Sequence, residues 1–493
     1  MVFAPSGFPS RTDSTKRSVV PTQNPALDPV VEPPEPSQSA AAAAATAAAA
    51  TAAAATAAAA TAAAATAAPT PAAFPTATSP TSRTSTASSP SATRRLLPSL
   101  AVTSLVLFAT YSGLIAVLLP NQVQAIDPAN KVGNLAIVTT VSFVFTLFAQ
   151  PIVGAFSDRT RSRLGRRAPW MIIGAAVGAV FLAGLGSLSS IVWITVFWVI
   201  IQVALNALQG PLSAITPDRF PRSRRGVASA MVGVGTMAGG TIGVLVAGQL
   251  AANVGVGYTV FGAAVLVLTL AFVLLNRDFS SKDAVHPPFS WKQFLSGFWI
   301  NPRTNPDFAW AFAARFLFIL GYFVTFGYQL FILTDYIGMS IGQANSTIGL
   351  LSLASLVTTV VSISLAGWLS DKLGRRKVFI YAASALMVVG LSIPLIAPNV
   401  TGMLVMSAVN GFGFGLYMAC DTALMTEVLP GGGTAAAKDL GILNIATNIP
   451  QALSPTIAAV LIGAAGGYPA LFIFGMVAVA LAALVLIPIK SVR

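Results

Sequence analysis

Two charged residues, Arg315 and Asp421, interrupt long apolar stretches of this sequence. Each lies about eight residues, or ~12 Å along a helix, from the end of its stretch that adjoins a basic loop. An arginine at that depth in lipid costs ~3 kcal/mol even on a lenient insertion scale, so it needs a partner or water. An aspartate there can take up a proton, which would release a paired arginine and so couple protonation to another event. A static ion pair, or an arginine that reaches the membrane surface, is the structural alternative.

Polar and aromatic side chains recur at helical spacing in the apolar stretches, so each set shares one face of a helix. The sets are Ser104, Phe108, Tyr111 and Ser112, with Gln122 beyond them; Trp198, Gln202, Asn206 and Gln209; Ile319, Tyr322, Phe326 and Gln329, in line with Arg315; and Asn410, Phe414 and Tyr417, in line with Asp421. Rings stack on the C–H faces of sugars, while amides and charges bind hydroxyl groups. These faces therefore fit a sugar site, with helix packing as the alternative. Interhelical hydrogen bonding is the expected role of a further face, Asn444, Asn448 and Gln451, with contact to a cavity as the alternative.

The elements that would position these residues are membrane spans. Apolar residues make up 55% and charged residues 9% of the 493, whereas a soluble protein carries about a quarter charged residues. Twelve stretches are long enough to span a bilayer: 97–119, 134–153, 170–188, 191–213, 227–251, 258–276, 308–332, 344–366, 378–396, 403–427, 441–462 and 468–488. The loops on one side, with both termini, hold 22 Lys and Arg from residue 94 onward, and the loops on the other side hold only Lys131. This asymmetry predicts that both termini are cytoplasmic.

A loop motif occurs twice on that basic side, as GAFSDRTRSRLGRR at 154–167 and GWLSDKLGRR at 367–376. Its aspartate can pair with a basic neighbour or with helix N-terminal amides, and so hold two helices together. We predict that the motif forms an inner-face latch in each half, from Gly154, Asp158, Arg159, Gly165, Arg166, Arg167, Gly367, Asp371, Gly374, Arg375 and Arg376. A second repeat ends the fourth and tenth spans, as TPDRFP and TEVLP, each with an acid three residues before a proline. Both repeats indicate a duplicated bundle whose halves move against each other.

The loop motif resembles that of the major facilitator superfamily, over roughly residues 95 to 490. The extended SDRTRSRLGRR form is similar to that of the glycoside–pentoside–hexuronide transporters and sucrose–proton symporters, and Asn206 to Pro211 (N-x-x-Q-G-P) looks like the fourth span of sucrose symporters. The resemblance implies an all-α membrane protein with twelve transmembrane helices in two pseudo-symmetric six-helix bundles. It also implies a central cavity lined by the first and fourth spans of each half.

On that arrangement we predict an Arg315–Asp421 pair that couples protons to transport. We also predict that substrate is bound by Tyr111, Gln202, Asn206, Gln209, Tyr322, Gln329, Asn410 and Tyr417. Melibiose-type sodium symporters carry aspartates on spans two and four, but here span two has no acid and span four has Asn206, which disfavours a sodium site of that kind. The first half also lacks the titratable cavity acid expected of sucrose symporters, so uncoupled facilitation stays open.

The domain division follows from composition. Residues 1–93, with threonine every five residues in an alanine run, predict a disordered low-complexity cytoplasmic tail. Residues 94–276 and 308–493 are the two six-helix bundles, joined by a central cytoplasmic loop, 277–307. Trp291, Phe294, Leu295 and Phe298 of that loop fit either a short helix on the membrane face or an ordered linker.

These features together predict a secondary active transporter of the plasma membrane that works by alternating access. No catalytic constellation appears in the sequence. Its expected partners are a sugar or glycoside of sucrose or maltose type, protons and membrane lipids, with no nucleic acid, and a monomer is expected. Cys420 and His286 are single residues of their type, so we predict no metal site, no cofactor and no enzyme activity. A multidrug or metabolite exporter is the alternative, although span five has five glycines and lacks the Gly-Pro dipeptide of drug antiporters; those glycines fit close helix packing. A non-transporting sensor or assembly factor on the same fold is the third possibility.

Overall fold

The computed structural model describes residues 90–278, 280–281, 303–373, 375–428, 436–464 and 466–489. Within these ranges the chain is built from helices and turns. In chain order the long helices are α1 (Pro90–Gly113), α2 (Lys131–Arg159), α3 (Ala168–Leu185), α4 (Ile191–Arg219), α5 (Arg225–Leu250), α6 (Val254–Leu275), α7 (Pro306–Phe326), α8 (Ile341–Leu373), α9 (Arg376–Ile396), α10 (Val400–Val428), α11 (Ala436–Ala464) and α12 (Tyr468–Val485).

These helices correspond one to one with the predicted spans. By length and composition eleven stretches of the described residues can cross a membrane, and one of them, Arg225–Leu275, contains both α5 and α6. Valines and leucines on the outside of the bundle, such as Val180, Val192 and Leu274, are mostly exposed, as expected of side chains that face lipid. The predicted all-helical fold with twelve spans is therefore confirmed.

Two helix ends differ from the prediction. The first span does not stop at 119 but continues from α1 through a π-helical turn, Leu114–Leu118, into a helix at Leu119–Ile126. The seventh does not run unbroken to 332, because α7 ends at Phe326 and Gly327 follows it. Glycine is a poor helix former, and the chain resumes as a short helix at Gln329–Phe331 and a π-helical turn at Ile332–Tyr336.

Helix packing repeats after six helices. In the first half α1 packs on α5 and α6, α3 on α4 and α6, and α2 on α4; in the second half α7 packs on α11 and α12, α9 on α10 and α12, and α8 on α10. The two halves meet along two seams, α2 with α11 and α5 with α8. The bundle is thus pseudo-symmetric, as predicted.

Close packing of α5 on α1 depends on glycine. A side-chain carbon added at Gly235, Gly239 or Gly243 would overlap the backbone carbonyl of Ala101, Leu105 or Ala109 in turn. The predicted packing role is therefore confirmed for these three glycines. A carbon added at Gly233 would meet nothing, and one at Gly240 would meet only the Ser112 hydroxyl.

Several sequence predictions fall outside the described residues. These are the tail up to residue 89 and residues 282–302, which include the aromatic segment of the central loop. Residues 90–93 were expected to belong to the disordered tail, but they form the first turn of α1. Proline is well accommodated in a first helical turn, which explains a start at Pro90.

Candidate functional site

A cavity between the halves has a volume of about 430 Å³, and we call it the larger cavity to distinguish it from the smaller one described below. Amide and hydroxyl side chains of α2, α4 and α11 form its polar wall, with Thr139, Thr146, Gln150, Gln202, Asn206, Gln209, Asn448, Gln451 and Ser454. None of the described residues that line it is charged. Such a lining can bind hydroxyl or amide groups, but it offers no counter-charge for an ion.

The polar wall contains atoms without a hydrogen-bond partner. Gln202 and Asn206 are both buried, and Asn206 Nδ2 donates to the backbone oxygen of Gln202 at 2.8 Å. The Gln202 side-chain oxygen and the Tyr111 hydroxyl are buried, and neither has a partner. Because buried polar atoms are nearly always paired, these two are open to a ligand or to water.

Aromatic rings of α1, α7 and α10 form the opposite wall. Tyr322 stacks on Phe414 with ring centroids 4.3 Å apart and an angle of 24° between the planes. Phe108 meets Tyr111 edge to face at 6.0 Å. Together with Phe326 these rings give the cavity one apolar side and one amide side.

A smaller cavity of about 220 Å³ lies on the other side of the same rings, beside the α5–α8 seam. Its polar residues include Gln329, Ser352, Ser355, Ser407 and Asn410. None of the described residues around it is charged either.

The two cavities account for seven of the eight predicted substrate residues. Tyr111, Gln202, Asn206, Gln209 and Tyr322 line the larger cavity, and Tyr322, Gln329 and Asn410 line the smaller one. Tyr417 lines neither, so its predicted placement is wrong. Its ring is fully buried against Phe318, with centroids 3.5 Å apart and planes 8° apart. Its hydroxyl group bonds instead with the side chain of Asp421.

Sequence reasoning missed the contribution of α2. Thr139, Phe143, Thr146 and Gln150 share one helical face and all line the larger cavity. Their spacing of four, three and four residues is the same signal that identified α4, so it could have been found. Asn448 and Gln451 of α11 also line the cavity, which is the alternative given for this face rather than the preferred interhelical hydrogen bonding. The Asn444 side chain lies outside the described part of the chain.

The predicted pair of Arg315 and Asp421 is present. Arg315 Nη1 lies 2.9 Å from Asp421 Oδ2, and both side chains are buried. No donor is well directed at Asp421 Oδ2, so this contact is an ion pair rather than an aligned hydrogen bond. Arg315 Nε donates to Thr447 Oγ1 of α11 at 3.2 Å. Neither charged residue lines either of the two cavities described above, so the pair sits behind the site and joins α7, α10 and α11.

The first copy of the loop motif is built around Arg167. Its guanidinium contacts Asp158 at 2.6 Å and donates to Ser157 Oγ at 3.1 Å. It also donates to Asp218 at 3.0 and 3.1 Å, and Arg166 contacts the other oxygen of Asp218 at 2.8 Å. The expected pairing of Asp158 with a basic neighbour is therefore confirmed. Asp218, from the second repeat, is a partner that the motif alone did not reveal.

Other residues of the predicted latches are less informative. Gly165 has a φ of 87°, a left-handed conformation that favours glycine. A side-chain carbon at Gly154 or Gly367 would meet nothing, so close packing does not explain these two glycines. Arg159 ends α2, and Arg375 and Arg376 stand at the start of α9. Gly374 and the Asp371 side chain lie outside what the structure describes.

At the far end, which we define as the end opposite the basic loops, the two halves are tied together. Asn121 and Asn345 exchange side-chain hydrogen bonds of 2.7 and 3.1 Å. Lys131 Nζ lies 2.7 Å from Asp335 Oδ1, and Tyr468 donates to the other carboxylate oxygen at 2.7 Å. Burial of the Asp335 carboxyl tends to raise its pKa, but hydrogen bonds from Lys131, Tyr468 and Thr334 outweigh this and lower the pKa. Polar contacts therefore join the two halves at the far end.

No group of three or more potential ligands that could hold a metal ion occurs among the described residues. The cavities instead have the neutral, mixed polar and aromatic lining of a small-molecule site.

Comparison with known proteins places this architecture. The family model described as Major Facilitator Superfamily matches residues 100–362 and 327–492. An MFS-type transporter of Gibberella moniliformis is 26% identical over 71% of this chain and 82% of its own length. A multidrug resistance protein of Dickeya zeae is 26% identical over 52% of this chain and 61% of its own length. A sucrose transport protein of Arabidopsis thaliana is 32% identical over only 19% of this chain and 22% of its own length.

Solved structures share the fold at low identity. A nucleoside transporter superposes with a TM-score of 0.66 at 13% identity, covering 80% of this chain and 99% of the other. A D-xylose–proton symporter superposes with a TM-score of 0.59 at 15% identity, covering 81% and 98%.

Proposed function

The chain belongs to the major facilitator superfamily and is an integral membrane transporter, and from that premise we propose that it carries a neutral sugar or glycoside together with protons by alternating access. We further propose that it acts in the plasma membrane with both termini in the cytoplasm. The observation that carries the proposal is the uncharged lining of the larger cavity.

That lining favours a neutral cargo. Moving an ion out of water costs several kcal/mol unless an opposite charge lies beside it. The buried charges of Arg315 and Asp421 neutralise each other and do not line the cavity. A cargo that brings its own charge would therefore find no partner in this site.

The remaining lining favours a hydroxyl-bearing molecule with an apolar face. The unpaired Gln202 oxygen and Tyr111 hydroxyl can each bond a sugar hydroxyl. The rings of Phe108, Tyr322 and Phe414 offer flat surfaces for the C–H face of a sugar. Such a division into an amide wall and an aromatic wall suits a sugar or a glycoside.

Proton coupling is assigned to Asp421. It forms an ion pair with Arg315 on a neighbouring helix, so protonation would remove the attraction that holds α7 to α10 in this geometry. Alternating access then needs the far end to open while the basic end closes. The Arg167 cluster, the repeated loop and the far-end contacts are the elements that we propose as latches.

Uptake into proteoliposomes tests this function. Labelled mono- and disaccharides would be offered with and without an inward proton gradient to wild type, Asp421→Asn and, as a control, Asp127→Asn in the exposed α1–α2 loop. We expect the gradient to drive accumulation by wild type and by Asp127→Asn, whereas Asp421→Asn only equilibrates the sugar. Equal accumulation by all three would remove Asp421 from the coupling step while leaving the cargo class intact.

A second candidate is an exporter of apolar metabolites or drugs. The aromatic wall supports it, since Phe108, Phe323, Phe326 and Phe414 line the larger cavity. One relative is a multidrug resistance protein. If no sugar moves in the same vesicles but an uncharged aromatic dye is transported, this candidate replaces the sugar proposal.

A further inference from the structure

The smaller cavity is too small to serve alone. Its volume of about 220 Å³ is below the roughly 300–1,000 Å³ of typical ligand sites. It adjoins the larger cavity, because Phe108, Ser112, Tyr322, Phe326 and Phe414 line both. The two spaces are therefore lobes on either side of one aromatic partition, the first beside the α2–α11 seam and the second beside the α5–α8 seam.

The smaller cavity contains polar groups that have no partner. The Ser407 hydroxyl and the Asn410 side-chain oxygen are unpaired, and these residues are only 6% and 7% exposed. The Gln329 side-chain oxygen is also buried and unpaired. Ser407 belongs to α10 and Gln329 to the short helix after α7, so two separate elements bring polar groups to one small space. The Asn410 oxygen itself lies against Gly390 of α9, although its residue lines the cavity. Buried polar atoms without partners are rare, so the Ser407 and Gln329 oxygens at one cavity call for an occupant with hydrogen-bonding groups.

The partition between the lobes suits the middle of a ligand. Tyr322 and Phe414 stack with centroids 4.3 Å apart, and Tyr322 is tied to Ser355 of the smaller cavity by a side-chain hydrogen bond. Rings held in this way form a fixed apolar edge over which a flat molecule can lie. Polar groups on both sides of that edge fit a molecule that has hydroxyl groups at both of its ends.

We propose that the smaller cavity is a second subsite of the transport site, and that it binds the second ring of a neutral two-ring molecule. The first ring lies among the amides of α4 and α11, and the bond between the rings crosses the aromatic partition. Ser407, Asn410 and Gln329 bind hydroxyl groups of the second ring. This inference rests on the proposed function and adds that residues of α10 distinguish a two-ring cargo from a one-ring cargo.

Kinetics with sugars of two lengths test the subsite. Asn410→Val and Ser407→Ala remove its polar groups without adding much bulk, whereas Val405→Ala alters a side chain of α10 that is 45% exposed and faces away. We expect the KM for a disaccharide to rise about tenfold in the first two variants, as for the loss of one buried hydrogen bond. The KM for the matching monosaccharide should change less than about twofold, and Val405→Ala should change neither.

Thiol labelling gives a second measurement that does not depend on transport. The chain has a single cysteine, Cys420, which is buried and gives the background rate in the parent protein. A Ser407→Cys variant should be labelled by a small thiol reagent, and disaccharide should slow that labelling while monosaccharide should not.

The outcomes separate the two proposals. If wild type carries both sugars but the variants affect them equally, the smaller cavity holds only water and the subsite is refuted while the sugar function stands. Equal protection of the introduced cysteine by both sugars has the same meaning. If wild type carries no sugar at all, the proposed function fails and the subsite fails with it.

Discussion

Asn121 and Asn345 join the two halves of the protein by an exchange of amide hydrogen bonds, at 2.7 and 3.1 Å. Asn121 follows α1 and Asn345 lies in the first turns of α8, 224 positions apart in the chain. Both side chains are buried, and Asn121 Nδ2 is also 2.7 Å from the Val117 backbone oxygen. Because the amides are neutral, the seam can separate at this point without stranding a charge in a region poor in water.

Replacing either asparagine should favour opening of the far end. Asn121→Ala or Asn345→Ala leaves the partner amide buried without its bond, which costs about 1–3 kcal/mol of the closed state. The double variant should cost less than the sum of the two, since no unpaired amide remains. The measurement is the labelling rate of a cysteine placed at Ser454 in the larger cavity, with an impermeant reagent added at the far end. If the effects of the two single variants on the labelling rate, expressed as free energies, add up to that of the double variant, the two amides do not act together in closing the far end.

Asp335 should keep the far end closed across the neutral pH range. Burial tends to raise the pKa of this carboxyl, but bonds from Lys131, Tyr468 and Thr334 lower it overall. Because its pKa is lowered, the ionised Asp335 stabilises the closed far end at every pH above the ordinary aspartate pKa of about 4. This stabilisation is lost only as the pH falls through the lowered pKa. Closure should therefore not change through this group between about pH 5 and 8.

The variant Asp335→Asn should mimic the acid state at pH 7. Exposed ion pairs contribute about 0–1 kcal/mol, so labelling from the far end should rise by no more than about fivefold. Asp127→Asn is the matched control, because its carboxylate accepts bonds from Asn130 in its own loop and from Asn134 in the first turn of α2, both in the same half. If both variants open the far end to the same extent, the Lys131–Asp335 contact is not what holds it.

Much of the fold could be predicted from the sequence because lipid restricts the choices. Apolar stretches of span length have to be helices, and isolated charges in them have to pair, which is why Arg315 and Asp421 could be matched. Helical spacing also located the Gln202–Asn206 face correctly. These predictions concern one helix, or two residues whose need for a partner is strong.

Features that depend on helix rotation could not be predicted in this way. The spacing of Tyr417 puts it on the same face as Asn410, but the ring turns toward Phe318, away from the cavities. Gln150 and Asn448 line the cavity because α2 and α11 meet at a seam between the halves. The contact of Asn121 with Asn345 likewise depends on how the two halves are placed relative to each other. The sequence around either residue does not indicate that placement.

Arg167 should be more important for stability than its neighbour in the same motif. Its side chain is 9% exposed and contacts both Asp158 and Asp218, whereas Arg166 is 36% exposed and, among the described residues, pairs with Asp218 alone. Arg167→Ala removes several charge-assisted bonds of one buried side chain, so it should lower the free energy of unfolding by about 2 kcal/mol. Arg166→Ala should lower it by less than about 1 kcal/mol. Thermal unfolding of both variants in one detergent checks this. Equal losses would mean that the cluster acts through general charge rather than through the Arg167 contacts.

The Arg315–Asp421 pair can be tested for coupling separately from its structural role. Arg315→Gln or Asp421→Asn alone leaves one buried charge without its partner, which should destabilise the protein by about 3–5 kcal/mol. The double variant Arg315→Gln/Asp421→Asn leaves no charge at this position, so its stability should return close to that of wild type. If Asp421 is the proton site, that stable double variant still equilibrates sugar but no longer accumulates it against a gradient. Unfolding and uptake measured in parallel on the three variants distinguish a coupling role from a structural one. A double variant that is stable and still accumulates sugar would show that the pair only holds α7 against α10.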